Sequence, residues 1–270
     1  MQLSTVRSPG LCLCIALAFS SARAQLDLGS QDVPQSEIDG YMRPFYRVIA
    51  TGIGAGRFSP RDASLGFDAG FQAAIVPLPD RKPFQSTRLS ALPVFRLRAG
   101  ARWDGVETTA RGFLWRDPRL GDLSTFGAGL AYRRDLLKAP IPVAAALMAD
   151  WDRMGFSSTY TYKYRGSALG LFDQDVPGDY TLKEQVCAGG LMLSTLLGAW
   201  TPYLQGWFEW TSGRFSYLYL DPSDDKNHEI KSDLAFPGGR GAAGLLWRGF
   251  HLEADVGAYA SLEAGWSWIW

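Results

Sequence analysis

The chain has 270 residues with 27 basic and 27 acidic side chains, so its formal net charge is zero. A hydrophobic content of 47% with 13% aromatics excludes a disordered chain, and the balanced charge excludes a basic surface for nucleic acid. A mean hydropathy of −0.07 is too low for a bundle of membrane helices, while 30 Gly beside 10 Trp favours β structure.

The first 24 residues read as a targeting segment. Arg7 supplies a positive flank, Leu11–Phe19 (LCLCIALAF) is apolar, and Ala22-Arg23-Ala24 fits a small-residue cleavage site. The apolar run is too short for a membrane helix, which needs roughly 20 residues. Cleavage near Ala24 would start the mature chain at Gln25 and remove Cys12 and Cys14. Cys187 would then stand alone, which excludes an intrachain disulfide. The only histidines are His228 and His251, with no cysteine pair to join them, so neither a metal nor a cofactor is expected.

Residues 25–62 carry a helical pattern. Ser36 is placed to cap it, with Asp39 three residues on. Ile38, Tyr41, Met42, Phe45, Val48 and Ile49 share one face, and Pro44 should kink it. Such a helix could lie on a barrel rim in the periplasm or plug the lumen, and periodicity alone leaves both open.

From 63 to 270 the period changes to two. Leu65, Phe67, Ala69, Phe71, Ala73 and Ile75 alternate with small or polar neighbours, and similar alternation runs through 95–103, 126–133, 251–259 and 262–270. Ten strands follow: 63–76, 93–103, 106–114, 123–136, 141–152, 180–196, 200–212, 239–248, 250–258 and 261–270. Twelve result if 157–172 forms a further hairpin. The apolar run Val186–Leu197 has helical character, but Gly189-Gly190, Gly198 and Pro202 argue for two strands. Strands of about ten residues match a tilted membrane crossing. Trp103, Trp115, Tyr132, Trp151, Trp200, Trp210, Trp247 and Trp266 fall near strand ends, as interfacial aromatics do. Connections alternate short and long, except for a tight final one, so a first strand running outward puts the long ones outside. The expected fold is an all-β antiparallel transmembrane barrel with a short N-terminal helix.

The final Gly265-Trp266-Ser267-Trp268-Ile269-Trp270 resembles the C-terminal signature of Gram-negative outer-membrane barrels. That resemblance implies an outer-membrane location, contact with its lipid, and recognition of Trp266, Trp268 and Trp270 by the barrel assembly machinery. Tyr41-Met42-Arg43-Pro44, Gly66-Phe67-Asp68, Leu92-Pro93 and Phe126-Gly127-Ala128-Gly129-Leu130 are similar to fragments of an outer-membrane family of unknown function.

Alternation assigns a charged set to the lumen: Asp68, Arg96, Arg98, Arg102, Glu107, Arg111, Arg133, Asp150, Asp152, Glu209, His251, Glu253, Asp255 and Glu263. A barrel of about ten strands is narrow, so these side chains either form a salt-bridged core or line a pore with opposed basic and acidic walls. Further readings are possible. His251, Glu253 and Ser261 are a weak constellation for a membrane-embedded lipid hydrolase. Phe113, Leu191, Tyr203 and Trp207 would line an apolar path. Loops 153–179 and 213–238 carry tyrosines that suit recognition or simply extend the strands. The acidic stretch Asp221–His228 could bind Ca²⁺ only loosely. The leading expectation is a small channel or transporter of undefined substrate. A non-conducting structural or binding barrel is the alternative, an enzyme comes third, and the oligomeric state stays open.

Overall fold

The structure, a computed structural model, describes residues 35–57, 66–78, 91–117, 121–138, 141–165, 173–221 and 226–270. The expected targeting segment and residues 222–225 of the acidic stretch lie outside them.

Ten strands close into one antiparallel barrel: β1 (Gly66–Pro77), β2 (Ala91–Trp103), β3 (Val106–Asp117), β4 (Gly121–Leu137), β5 (Val143–Arg165), β6 (Asp173–Thr195), β7 (Trp200–Asp221), β8 (Lys226–Trp247), β9 (Phe250–Val256) and β10 (Ala260–Ile269). Each pairs with its chain neighbour, and β1 pairs with β10 from Asp68↔Ile269 to Ile75↔Leu262. Backbone bonds between Phe67 and Trp270 complete the seam.

Three tight turns sit where the sequence placed them, and the last lies slightly earlier than expected, at 257–259 rather than 259–260. Asp104-Gly105 and Arg248-Gly249 both have positive φ at each residue, the type I′ geometry that matches strand twist. Gly198 alone is positive in its turn, as a type II′ turn requires. Val186–Leu197 is not a helix; most of it belongs to β6.

The long external loops are largely strand instead. Ser157↔Thr181 to Arg165↔Asp173 extends the β5–β6 ladder, and β7 pairs with β8 as far as Asp221↔Lys226. This removes the twelve-strand alternative, because 157–165 lengthens an existing hairpin. β5 to β8 reach 22 or 23 residues, against the roughly 9–11 that cross a bilayer. They stand as a tall wall, whereas β9 and β10 have only 7 and 10 residues.

The helix α1 (Gln35–Gly54) lies inside the barrel. Its segment is already helical at Gln35, so Ser36 stands within the helix rather than capping it, and the helix continues through Pro44. Met42, Phe45, Tyr46, Val48, Ile49 and Ile53 are buried against Val76, Val94, Leu123, Phe156, Leu182, Tyr217 and Phe236 of the wall. Its N-terminal end reaches the outer part of β8, where Gln35 donates to the Lys231 carbonyl and Ser232 to Asp39. Its C-terminal end descends to mid-lumen. No helix among the described residues is long and apolar enough to cross a membrane.

Candidate functional site

The end of α1 is held by the wall. A helix leaves its last four carbonyls without intrahelical partners, and a cation there is favourable. Here the cations come from strands. Arg240 donates to the Thr51 and Gly54 carbonyls, and Arg96 to those of Ile53 and Ala55. Gln72 donates to the Gly56 carbonyl at 2.8 Å and Arg111 to that of Arg57 at 2.8 Å. The Gly56 N–H in turn donates to Glu253 at 3.0 Å. Small residues permit this approach: Gly56 has φ +59°, and a side chain there would overlap the Glu263 carboxylate.

Arg57 is the centre of the cluster. Its Nε lies 3.0 Å from both Asp150 and Asp152, and its Nη1 bonds Glu209. It thereby joins β5 to β7 across the lumen, beneath α1. Burial alone would lower its guanidinium pKa, but Asp152, Glu209 and Asp150 outweigh burial and raise it. Arg111 reaches Asp150 at 2.6 Å and Asp152 at 2.9 Å, and Arg240 reaches Glu209 at 3.1 Å and Asp255 at 3.5 Å. Arg98 lies 2.7 Å from Glu107 and 3.3 Å from Asp68.

The expected inward residues Asp68, Arg96, Arg98, Arg102, Glu107, Arg111, Asp150, Asp152, Glu209, His251, Glu253, Asp255 and Glu263 are all buried, and Arg133 is half-buried. Rather than forming two opposed walls, most of them interlock. Arg57, Arg240 and Glu184 are buried too and were absent from the expected set. Strand parity in β6 and β8 would have found Glu184 and Arg240. Nothing local marks Arg57.

The other groupings resolve differently. Ser261 donates to Asp255, not to His251, and His251 lies 2.7 Å from Glu263. The hydrolase constellation is therefore not brought together. Of the expected apolar path, Phe113, Tyr203 and Trp207 face inward, but Leu191 is exposed on the outside. Tyr203 donates to Glu253, and Trp207 to Gln205. Trp268 and Trp270 are exposed on the closing strand and Trp266 is half-buried. No cluster of metal-ligating side chains occurs among the described residues.

The outer surface reverses the interior. Phe67, Leu97, Leu147, Leu191, Leu204, Phe208 and Leu262 are all more than half exposed. A water-soluble barrel buries apolar side chains, whereas this one seals its charges inside and offers hydrocarbon a greasy belt. It is a transmembrane β-barrel of the outer-membrane type.

No family model and no curated protein matches the chain. Among solved structures it is similar to the translocator domain of the autotransporter NalP from Neisseria meningitidis, at 8% identity over 88% of this chain and 99% of that one, with a TM-score of 0.42. It is also similar to the toluene transporter TbuX from Ralstonia pickettii (6%, 82% and 92%, TM-score 0.31) and to the CymD monoaromatic hydrocarbon channel (8%, 82% and 96%, TM-score 0.28).

Proposed function

We propose that the protein is a plugged channel of the Gram-negative outer membrane, exported by cleavage near Ala24, with α1 as its plug and Arg57 as the latch. The observation that carries this reading is the bridge from Arg57 to Asp150, Asp152 and Glu209 directly below α1. An inert filler would need only apolar packing. This plug ends instead in ion pairs that can be exchanged for water or for a charged solute. Conductance in a planar bilayer tests it, using protein whose gel mobility shifts on heating and which is therefore folded. The wild type should be closed for most of the record. Arg57→Ala should lengthen the open periods, and deletion of 35–57 should give a steady current. Silence from the folded deletion variant would favour the non-conducting structural or binding barrel. That second reading draws on the close packing of Tyr46, which is fully buried against the wall.

A further inference from the structure

The inward acids of the lumen are met by arginines, by His251 or by neutral donors, with one exception among the described residues. Glu184 of β6 is fully buried, and neither of its carboxyl oxygens has a hydrogen-bond partner. No ion pair reaches it either. Its surroundings are apolar. Leu182 and Val186 flank it on the same face of β6, and Met154 of β5 and Gly213 of β7 stand opposite it. The Tyr46 ring of α1 lies over Gly213, so close that a side chain there would overlap it. Tyr46 is also within electrostatic reach of Glu184. The helix thus closes the space in front of this carboxyl.

Glu184 stands above the hydrocarbon. Trp151, Cys187 and Trp210 form one outward-facing row across β5, β6 and β7, and aromatic rows of this kind mark the membrane interface. Glu184 is three residues further along β6, roughly 8 Å higher at ~3.3 Å per residue and about 40° of tilt. At that level the outward side chains are Arg153, Lys183, Gln185 and Arg214, all exposed. Burial first, and then the negative charge of Glu209 on β7, hold the Glu184 carboxyl well above the usual carboxylate range. The other charged and titratable groups nearby supply no counter-charge. Asp152 on β5 belongs to Arg57 and Arg111, and Arg240 on β8 to Glu209 and Asp255. Asp233 on β8 pairs with Arg214 on the outside. On α1, Tyr46 donates to the Ser232 carbonyl, Asp39 accepts from the Ser232 hydroxyl, and Arg47 lies over the Phe236 ring. A leucine at 184 would complete the apolar packing of α1. A carboxyl makes that packing depend on a proton.

We infer that Glu184 is a proton-sensitive release for the plug: neutral, it packs beneath α1, and ionised, it must reach water, which requires α1 to lift from β6. The inference rests on the reading of α1 as a plug. The carboxyl is neutral in the closed barrel and ionises more readily once exposed. Its support for the closed state is therefore complete at low pH and is lost as pH rises through the range of the buried group. A single proton leaves, so the ratio of open to closed channel rises by at most about tenfold per pH unit.

The test is planar-bilayer conductance of the full barrel from about pH 5 to about pH 9, with heat-shiftable protein only. The open fraction of the wild type should climb with pH. Glu184→Gln, neutral throughout, should remove that climb and stay closed. Glu184→Met, which is apolar, takes its place if the Gln variant lacks the heat-shifted band. A wild type whose open fraction is flat in pH overturns the switch, and so does a Gln or Met variant that keeps the wild-type slope. Deletion of 35–57 separates the two claims. If the deletion variant conducts at every pH while the wild type is shut at every pH, the plug stands and the switch falls. If the folded deletion variant is silent, the plug falls and takes the switch with it.

Discussion

Arg57 is the residue on which plug and wall depend together. Removing one partner of a buried ion pair costs about 3–5 kcal/mol, because the other charges stay buried without compensation. Arg57→Ala leaves Asp150 and Asp152 to Arg111 and Glu209 to Arg240, so part of that cost falls on the variant and its gel band should shift at a lower temperature than that of the wild type. Gly56 gives a sharper test. Its backbone is left-handed and its missing side chain is what admits Glu263. Gly56→Ala should destabilise the barrel by roughly 1–3 kcal/mol, the usual cost of a non-glycine residue forced into such a conformation. Unchanged denaturant resistance would mean that the α1 end is not held as tightly as its contacts indicate. The acidic partners were readable from alternation along β5 and β7. Arg57 follows the last helical turn, in a stretch with neither period, so its neighbours carry no signal of its direction.

At the scale of elements, strand parity was informative because it is local: each inward residue is announced by its outward neighbours. Tyr160, Tyr162 and Tyr164 show the limit of that information. Their stretch reads equally as recognition loop or strand, and only pairing with β6 decides the matter. The direction of α1 is a similar case. Gln35 lies by the outer part of β8 and Gly56 by Glu253, so the helix runs inward from the long-hairpin end. Ser36 is exposed there. With Cys187 replaced by Ala, Ser36→Cys should react in intact cells with a membrane-impermeant maleimide. Leu197→Cys, at the short-turn end, should react only after the outer membrane is permeabilised. The reverse pattern would invert the barrel.

For the whole molecule, closure is the decisive step, since an open edge cannot be satisfied in lipid. Trp270 exchanges both backbone bonds with Phe67 at the seam. Each is worth about 1 kcal/mol net in water and more in hydrocarbon. Deleting Trp270 should lower the yield of heat-shiftable barrel in membranes, through this seam and through the assembly signal that the C-terminus resembles. Replacing Trp268, which faces outward and makes an aromatic contact with Phe71, should weaken assembly while leaving the Phe67–Trp270 bonds in place. Equal yields for wild type and both variants would remove the C-terminal strand from the assembly argument.

The sequence by itself determined an antiparallel barrel of about ten strands, most of their faces, most of the tight turns and the burial of charge, because a period of two and the demands of a turn are properties of adjacent residues. Tertiary structure decided three things. It placed α1 in the lumen, it chose Arg57 as the partner of acids 95 and 152 positions away, and it set the Glu184 carboxyl behind α1 without a hydrogen-bond partner among the described residues. Each depends on groups brought together only when the sheet closes, and the spacing of side chains along one strand contains no record of what stands across the barrel.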